Sequence, residues 1–457
     1  MPRNVWILAG IGLAVAIGFG VVNPVLPVFA ASFGVNELAA AAVVSAFALM
    51  RLVFAPAVGP LTDRWGHRFV LLAGVLIVAV SSLAVGYARS YAQMIVFRGL
   101  GGLGSAMFSV SAMTILLSSV DADRRGRASA VYQGSFLVGA VAGPALGGLF
   151  GAISLRAPFF FYSITLGAAA AVSLGLAPIT GDRPLAARPD RTTPGAAAGA
   201  AGSAAGVSVP DEQAGNGGLD SPGGPVSAGD GGADGVGRGP SLSEGEDGGD
   251  RTASGGVARP LREVVRDRRY QAALLAHLAQ GWNTNGTRGA LIPLFVAAYL
   301  AADESQAVLW AGIAMSVGAI VQVGAIWPSG VVVDRIGRRG PMVIGALVAA
   351  GAMAALPISR SLAVLAAVLS VYAIGAALIG TAPAAAVGDA AGPGGTRAIA
   401  LYSMAGDTGS VVGPLVAGYL AAHFSYVTAC AAGALLWLAS ALVSAAMRRP
   451  GADRRLP

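Results

Sequence analysis

The chain carries one cysteine, Cys430, and no lysine among its 30 basic residues. A single thiol excludes a disulfide within the chain and any metal site built from cysteines, and it leaves the redox compartment open. The absence of lysine, beside an excess of alanine and glycine, reflects coding bias more than a functional demand. Charge is scarce too: 12% of the 457 residues are charged and 55% hydrophobic, with a mean hydropathy of +0.68. A soluble domain devotes about a quarter of its residues to charge, so a membrane protein is indicated. The sequence has no ATP-binding motif. It also shows no convergence of nucleophile, metal cluster or carboxylate pair of the kind an intramembrane enzyme needs, and nothing in it suggests nucleic-acid binding.

Apolar sequence fills the chain instead. Runs long enough to cross a bilayer, which takes about 20 residues of helix, fall near 5–30, 37–58, 69–88, 92–117, 128–151 and 157–178. A second set follows near 271–299, 307–329, 340–358, 362–388, 396–422 and 425–447. The first run is longer than a signal-peptide core and leads straight into further spans, so it is read as span one. The sequence thus predicts an all-α membrane protein of twelve transmembrane helices arranged as two six-helix pseudo-repeats. The N-terminal bundle covers 1–180 and the C-terminal bundle 261–457, with lipid as the solvent of both. The segment 181–260, rich in Gly, Ser, Pro and acid, cannot bury enough surface to fold and is read as a disordered cytoplasmic linker. After it, "LREVVRDRRY" reads as a basic amphipathic piece at the inner headgroup surface.

The arginines set the orientation. Three lie within spans (Arg51, Arg98, Arg288) and three in outer loops (Arg89, Arg156, Arg360), while the remaining 24 share the side of the termini. The positive-inside rule therefore places both termini in the cytoplasm of a cell with this chain in its inner or plasma membrane.

The two blocks repeat each other. Arg127, Tyr132, Gly139, Gly143, Pro144 and Gly148 recur 270 positions on as Arg397, Tyr402, Gly409, Gly413, Pro414 and Gly418. Pro27 recurs as Pro293, only 266 positions on, which predicts a longer first outer loop in the second block. After the second span of each block stands one charged sentence: Gly59, Asp63, Arg64, Gly66, His67, Arg68, and again Gly330, Asp334, Arg335, Gly337, Arg338, Arg339. Glycine permits a tight turn and close helix approach, and arginine holds the loop inside. Orientation does not require the aspartates. With its paired loop motif and parallel repeat, the chain resembles the major facilitator superfamily, apart from the central linker. The resemblance implies that the motif latches the two halves on the cytoplasmic side, with Asp63 against the start of the eleventh helix and Arg68 near Asp121 or Asp123.

Two further motifs bear on energy coupling. "RGLGGLGS" at 98–105 holds a literal G-x-G-x-x-G, but no strand precedes it and it sits inside an apolar span, which excludes a dinucleotide fingerprint. Arg98, Gly102 and Gly104 instead resemble the fourth-span motif of the superfamily's proton antiporters, with Gly101 where Gln is common. Gly139, Gly143, Pro144, Gly147 and Gly148 resemble their fifth-span signature, although small-residue spacing also serves ordinary helix packing.

Ionisable residues within a bilayer cost about 2.5–3.5 kcal/mol each at a helix centre. Asp407 is the one acid deep in a span, Asp389 sits at the inner end of the tenth, and the first span holds no carboxylate. Counting inward from the surface puts Arg51 and Asp407 at matching depth, and in the superfamily's fold their helices face each other across the boundary between halves. Together with Arg98 they are the candidates for proton coupling. The polar seventh span, with Gln280, Asn283, Asn285, Thr287 and Arg288, and Ser403 on the eleventh, predict a substrate cavity; hydrogen bonding between helices is weighed evenly against it. Trp282, Tyr132, Tyr372 and Tyr402 are candidate aromatic lining. A sugar or carboxylate transporter would show several charges converging at mid-membrane.

These features predict a monomeric secondary transporter without cofactors that exports small hydrophobic or amphipathic compounds in exchange for protons. The alternatives are a sugar or metabolite porter, as importer or uniporter, and a non-transporting sensor or scaffold.

Overall fold

A computed structural model describes residues 1–121, 124–176, 261–391 and 396–447. The linker 181–260 and Asp123 lie outside the described residues, as do the side chains of Asp334, Asp389 and Arg397. Every regular element among the described residues is helical. The first half comprises α1 (Arg3–Val22), α2 (Leu26–Ala31), α3 (Glu37–Trp65), α4 (His67–Gly86), α5 (Tyr91–Ser118), α6 (Arg125–Ile153) and α7 (Ala157–Ser173). In the second half α8 (Leu261–Arg266), α9 (Arg268–Gly281), a π-helix (Trp282–Leu291) and α10 (Ile292–Tyr299) precede α11 (Glu304–Ile336), α12 (Arg339–Ala355), α13 (Leu362–Ala391), α14 (Thr396–His423) and α15 (Tyr426–Ala445).

Nine of these helices are long and apolar enough to cross a membrane. The sequence predicts twelve crossings, and three of its runs fall short of that measure for different reasons. The described helix of the sixth run has 17 residues. The seventh is interrupted by the π-helix, and the eleventh gives up apolar positions to Ser403, Asp407, Thr408 and Ser410.

The repeat is visible in how elements begin and turn. Asn36 caps α3 by accepting from the Ala39 N–H at 3.0 Å, and Asp303 caps α11 by accepting from the Gln306 N–H at 2.7 Å. At the far ends of these helices Gly66 and Gly337 take φ of 84° and 76°, which a residue with a Cβ rarely adopts. This is where the loop motif needs its second glycine. At Gly330 a Cβ would meet nothing within 4 Å, so close helix approach does not explain the first glycine of the second copy. The predicted longer outer loop is absent: residues 300–303 connect α10 to α11 and residues 32–36 connect α2 to α3. The extra length is inside the helix instead, with 33 residues in α11 against 29 in α3, about one additional turn.

Within each half, glycines bring helices into backbone contact. A Cβ on Gly143 would lie 2.5 Å from the Gly20 Cα, and one on Gly286 2.7 Å from the Gly413 carbonyl carbon. The same register thus joins α1 to α6 and the π-helix to α14. The piece expected at the headgroup surface is anchored to the protein by two of its apolar and aromatic side chains. Val264 of α8 is buried with Ala386 and Ala390, and the Tyr270 hydroxyl donates to the Ala398 carbonyl at 2.7 Å.

Candidate functional site

The halves meet along two seams, α3 with α14 and α6 with α11. On the first, the Ser45 hydroxyl donates to the Val411 carbonyl at 2.7 Å; on the second, the Ser316 hydroxyl donates to the Val141 carbonyl at 3.1 Å. Ser45 and Ser316 are repeat counterparts, as are Val141 and Val411, so one bond is made twice about a pseudo-two-fold axis. Toward the turns opposite the loop motifs the seams tighten. A Cβ on Gly312 would stand 2.4 Å from the Pro144 carbonyl oxygen, and one on Gly418 2.9 Å from that of Glu37.

The antiporter-type motif divides its work accordingly. Gly139, Gly143 and Gly147 face α1, where added Cβ atoms would come within 2.4, 2.5 and 2.1 Å of its atoms, whereas Pro144 and Gly148 face α11 across the seam. The fourth-span glycines pack within the first half, Gly102 against the Phe47 carbonyl and Gly104 against that of Gly74.

Below the serine bonds the symmetry ends. Arg51 of α3 forms an ion pair with Asp407 of α14, the guanidinium Nη2 donating to the carboxylate Oδ1. The counterparts on the other seam are Gln322 and Leu137, which cannot pair. Asp407 is 7% exposed. His277, which the sequence reading passed over, lies close enough to feel its charge and stacks on Tyr402 with ring centroids 4.2 Å apart. A Cβ on Gly406 would run into its imidazole, so a glycine preceding Asp407 was the available signal.

Between the halves is a cavity of about 300 Å³. Its lining runs from Leu26 toward the loop-motif end at Ser109, Gln133 and Ile326. Of the predicted cavity residues, Gln280, Asn285 and Arg288 line it, together with Thr284. Asn283 and Thr287 do not. They are fully buried on the opposite face, where Asn283 donates to the Ala279 carbonyl at 3.0 Å and reaches the Gly433 carbonyl of α15 at 3.4 Å. The π-helix takes more residues per turn than the 3.6 of an α-helix, so the stripe counted at α-helical spacing drifts off the wall. Ser403 is also buried away from the lining, while Ser410, one π-helix contact away, accepts from Asn285 Nδ2 at 2.9 Å. The expected aromatic lining is replaced: Phe19, Phe47, Phe108, Phe136 and Tyr162 face the cavity, not Trp282, Tyr132, Tyr372 or Tyr402. Arg98 is 5% exposed, its guanidinium 4.3 Å from the Phe47 ring centre.

The loop motifs stand apart from this centre. Asp63, Arg64 and Arg335 are exposed, so no buried latch forms among the described residues. Arg339 donates to the Ala445 carbonyl, tying the start of α12 to the end of α15.

The sequence is 29% identical over 165 residues to the multidrug efflux protein YfmO of Bacillus subtilis, covering 36% of this chain and 41% of that one. It is 32% identical over 168 residues to the class H tetracycline resistance protein of Pasteurella multocida, covering 36% and 42%. The chain thus spans about two-fifths of the length of these relatives. The structure is similar to that of a bacterial homologue of the human lysosomal transporter Spinster, solved in an inward-facing and occupied conformation. That likeness has a TM-score of 0.68 at 13% identity and covers 97% of this chain and 96% of the other, a likeness of fold alone. The profile of the Major Facilitator Superfamily matches residues 8–268 and 273–457, and with two such repeats and a cavity between its halves the chain belongs to that family of membrane transporters.

Proposed function

We propose that this transporter exports small hydrophobic or amphipathic compounds in exchange for protons, with both termini in the cytoplasm. The carrying observation is the Arg51–Asp407 pair, which crosses one seam beside the cavity and has no counterpart on the other. With the halves together, the guanidinium stabilises the carboxylate's charge. When they part at that depth, a charged carboxylate in an apolar surrounding is costly, and taking up a proton removes the cost. Closure restores Arg51 and expels the proton. Opening of the seam and movement of a proton thus become one event. The efflux and resistance proteins among the relatives support the exporting direction. In this scheme the exposed Asp63 belongs to a loop that engages only when the loop-motif end closes, and the small residues at Gly148 and Gly312 keep the opposite end shut meanwhile.

Asp407→Asn tests the reading in proteoliposomes. The variant is expected to exchange substrate at equal pH on both sides but not to concentrate it against a proton gradient. Arg51 lines the cavity, so its charge stays hydrated when the carboxylate is gone. His277→Asn is the companion, since His277 is the other titratable group beside Asp407; it should retain gradient-driven transport. Retention by Asp407→Asn ends the proposal, and loss by His277→Asn alone moves the proton to the imidazole.

A further inference from the structure

Each ionisable residue at mid-depth departs from the repeat. The contact of Gly74 with Gly104 recurs as that of Gly345 with Gly375, 271 positions on, which aligns Arg98 with Leu369. The contact of Gly20 with Gly143 recurs as that of Gly286 with Gly413, which aligns Arg288 with Val22. One half therefore builds the same architecture with an apolar side chain where the other holds a guanidinium. Packing does not demand these arginines, and burying them in a bilayer opposes insertion.

Arg51 is neutralised by Asp407, the only ion pair among the described residues. Arg98 and Arg288 have no such partner. Arg98 lies 4.3 Å from the Phe47 ring centre and 5.9 Å from that of Phe19, and Arg288 lies 5.1 Å from the Tyr372 ring centre; the Nε of each is buried without a hydrogen-bond partner. They face one cavity from opposite halves, and no Asp or Glu is among its lining residues. A guanidinium stays charged across the physiological range, so this is a fixed positive well in a low-dielectric wall. Beside it stand the phenyl rings of Phe19, Phe108 and Phe136 and the side-chain amides of Gln280 and Asn285.

We infer that the cavity's ligand is an amphipathic organic anion, a carboxylate or sulfonate on an aromatic body. The anionic head takes the fork donors of Arg98 and Arg288, and the body packs on the phenyl rings. The inference rests on the transport reading only in taking this cavity as the substrate site. It runs against a cationic compound, which would meet uncompensated like charge on both walls.

Equilibrium binding to the purified full-length protein tests it with three probes of one shape: 1-naphthoate, 1-naphthamide and 1-naphthylmethylammonium. Naphthoate should bind about ten-fold or more tighter than the amide, as charge-assisted hydrogen bonds imply, and the ammonium weakest. Arg98→Gln and Arg288→Gln should each weaken naphthoate by about ten-fold while leaving the amide unchanged within about two-fold, and Arg→Lys should restore part of the loss. Gln280→Glu removes no cation and adds a carboxylate to the wall; it should weaken naphthoate and strengthen the ammonium, and it decides the matter if an arginine variant does not fold. Absent naphthoate binding, a preference for the ammonium, or naphthoate affinity indifferent to Gln280→Glu overturns the inference. Binding needs no gradient, so failure of proton coupling in Asp407→Asn is read separately.

Discussion

Arg51 and Asp407 are joined by one ion pair but stand in different surroundings. Arg51 lines the cavity, whereas Asp407 is buried in the seam. Losing either partner is therefore unequal. Arg51→Ala strands Asp407 away from water without a cation, a loss of up to about 3–5 kcal/mol where it stays charged and less where it takes up a proton. Asp407→Asn leaves a hydrated guanidinium and a neutral amide. Thermal unfolding in detergent should show Arg51→Ala much the more damaging, and equal shifts would mean that both charges reach solvent. The pair was legible in the sequence because charge is so scarce there: three arginines and one aspartate deep in twelve runs leave few pairings, and depth along a helix is fixed by its rise. That only Arg51 reaches the cavity was not legible, because it depends on a neighbouring helix, α9, that brings His277 alongside Asp407.

The π-helix shows what periodicity misses. From "HLAQGWNTNGTRGALIP" the polar character of the seventh span is plain, and α-helical counting groups Gln280 with Asn283 or Thr284 and with Thr287. Ten residues at a wider turn regroup them, so Asn283 and Thr287 serve α15 while Gln280, Thr284, Asn285 and Arg288 serve the cavity. Gln280 and Asn283, three positions apart, thus carry different duties. Asn283→Ala should lower stability by about 1 kcal/mol, the usual worth of such a hydrogen bond, with the substrate KM unchanged. Gln280→Ala should change KM with little loss of stability. The reverse pattern in transport assays and unfolding curves would return the segment to α-helical register. The extra turn in α11 escaped the sequence for a related reason: an offset between repeats records that residues were added but not whether a helix or a loop received them.

Across the whole molecule, the repeat itself was the most legible feature, since Gly20, Gly74, Gly104 and Gly143, which touch backbone, recur as Gly286, Gly345, Gly375 and Gly413, which do the same. The seams were legible only in retrospect. Ser45 and Ser316 occupy one register, but only the structure shows each hydroxyl crossing to a carbonyl of the other half. A hydrogen bond between membrane helices contributes about 0.6 kcal/mol, so losing one should shift the parting of the halves about threefold. Ser45→Ala and Ser316→Ala should raise the equal-pH exchange rate by similar factors, and the double variant by their product. Unequal effects would show that the serines do not share the load. The Arg51–Asp407 pair adds a restraint to one seam that the Gln322–Leu137 side lacks. In mechanical terms the two serine bonds are a pair of matched springs, and the ion pair is a third spring mounted off the axis. A symmetric push from a bound ligand therefore meets unequal stiffness, so the halves must twist as they tilt, and protonating Asp407 both frees the motion and straightens its path.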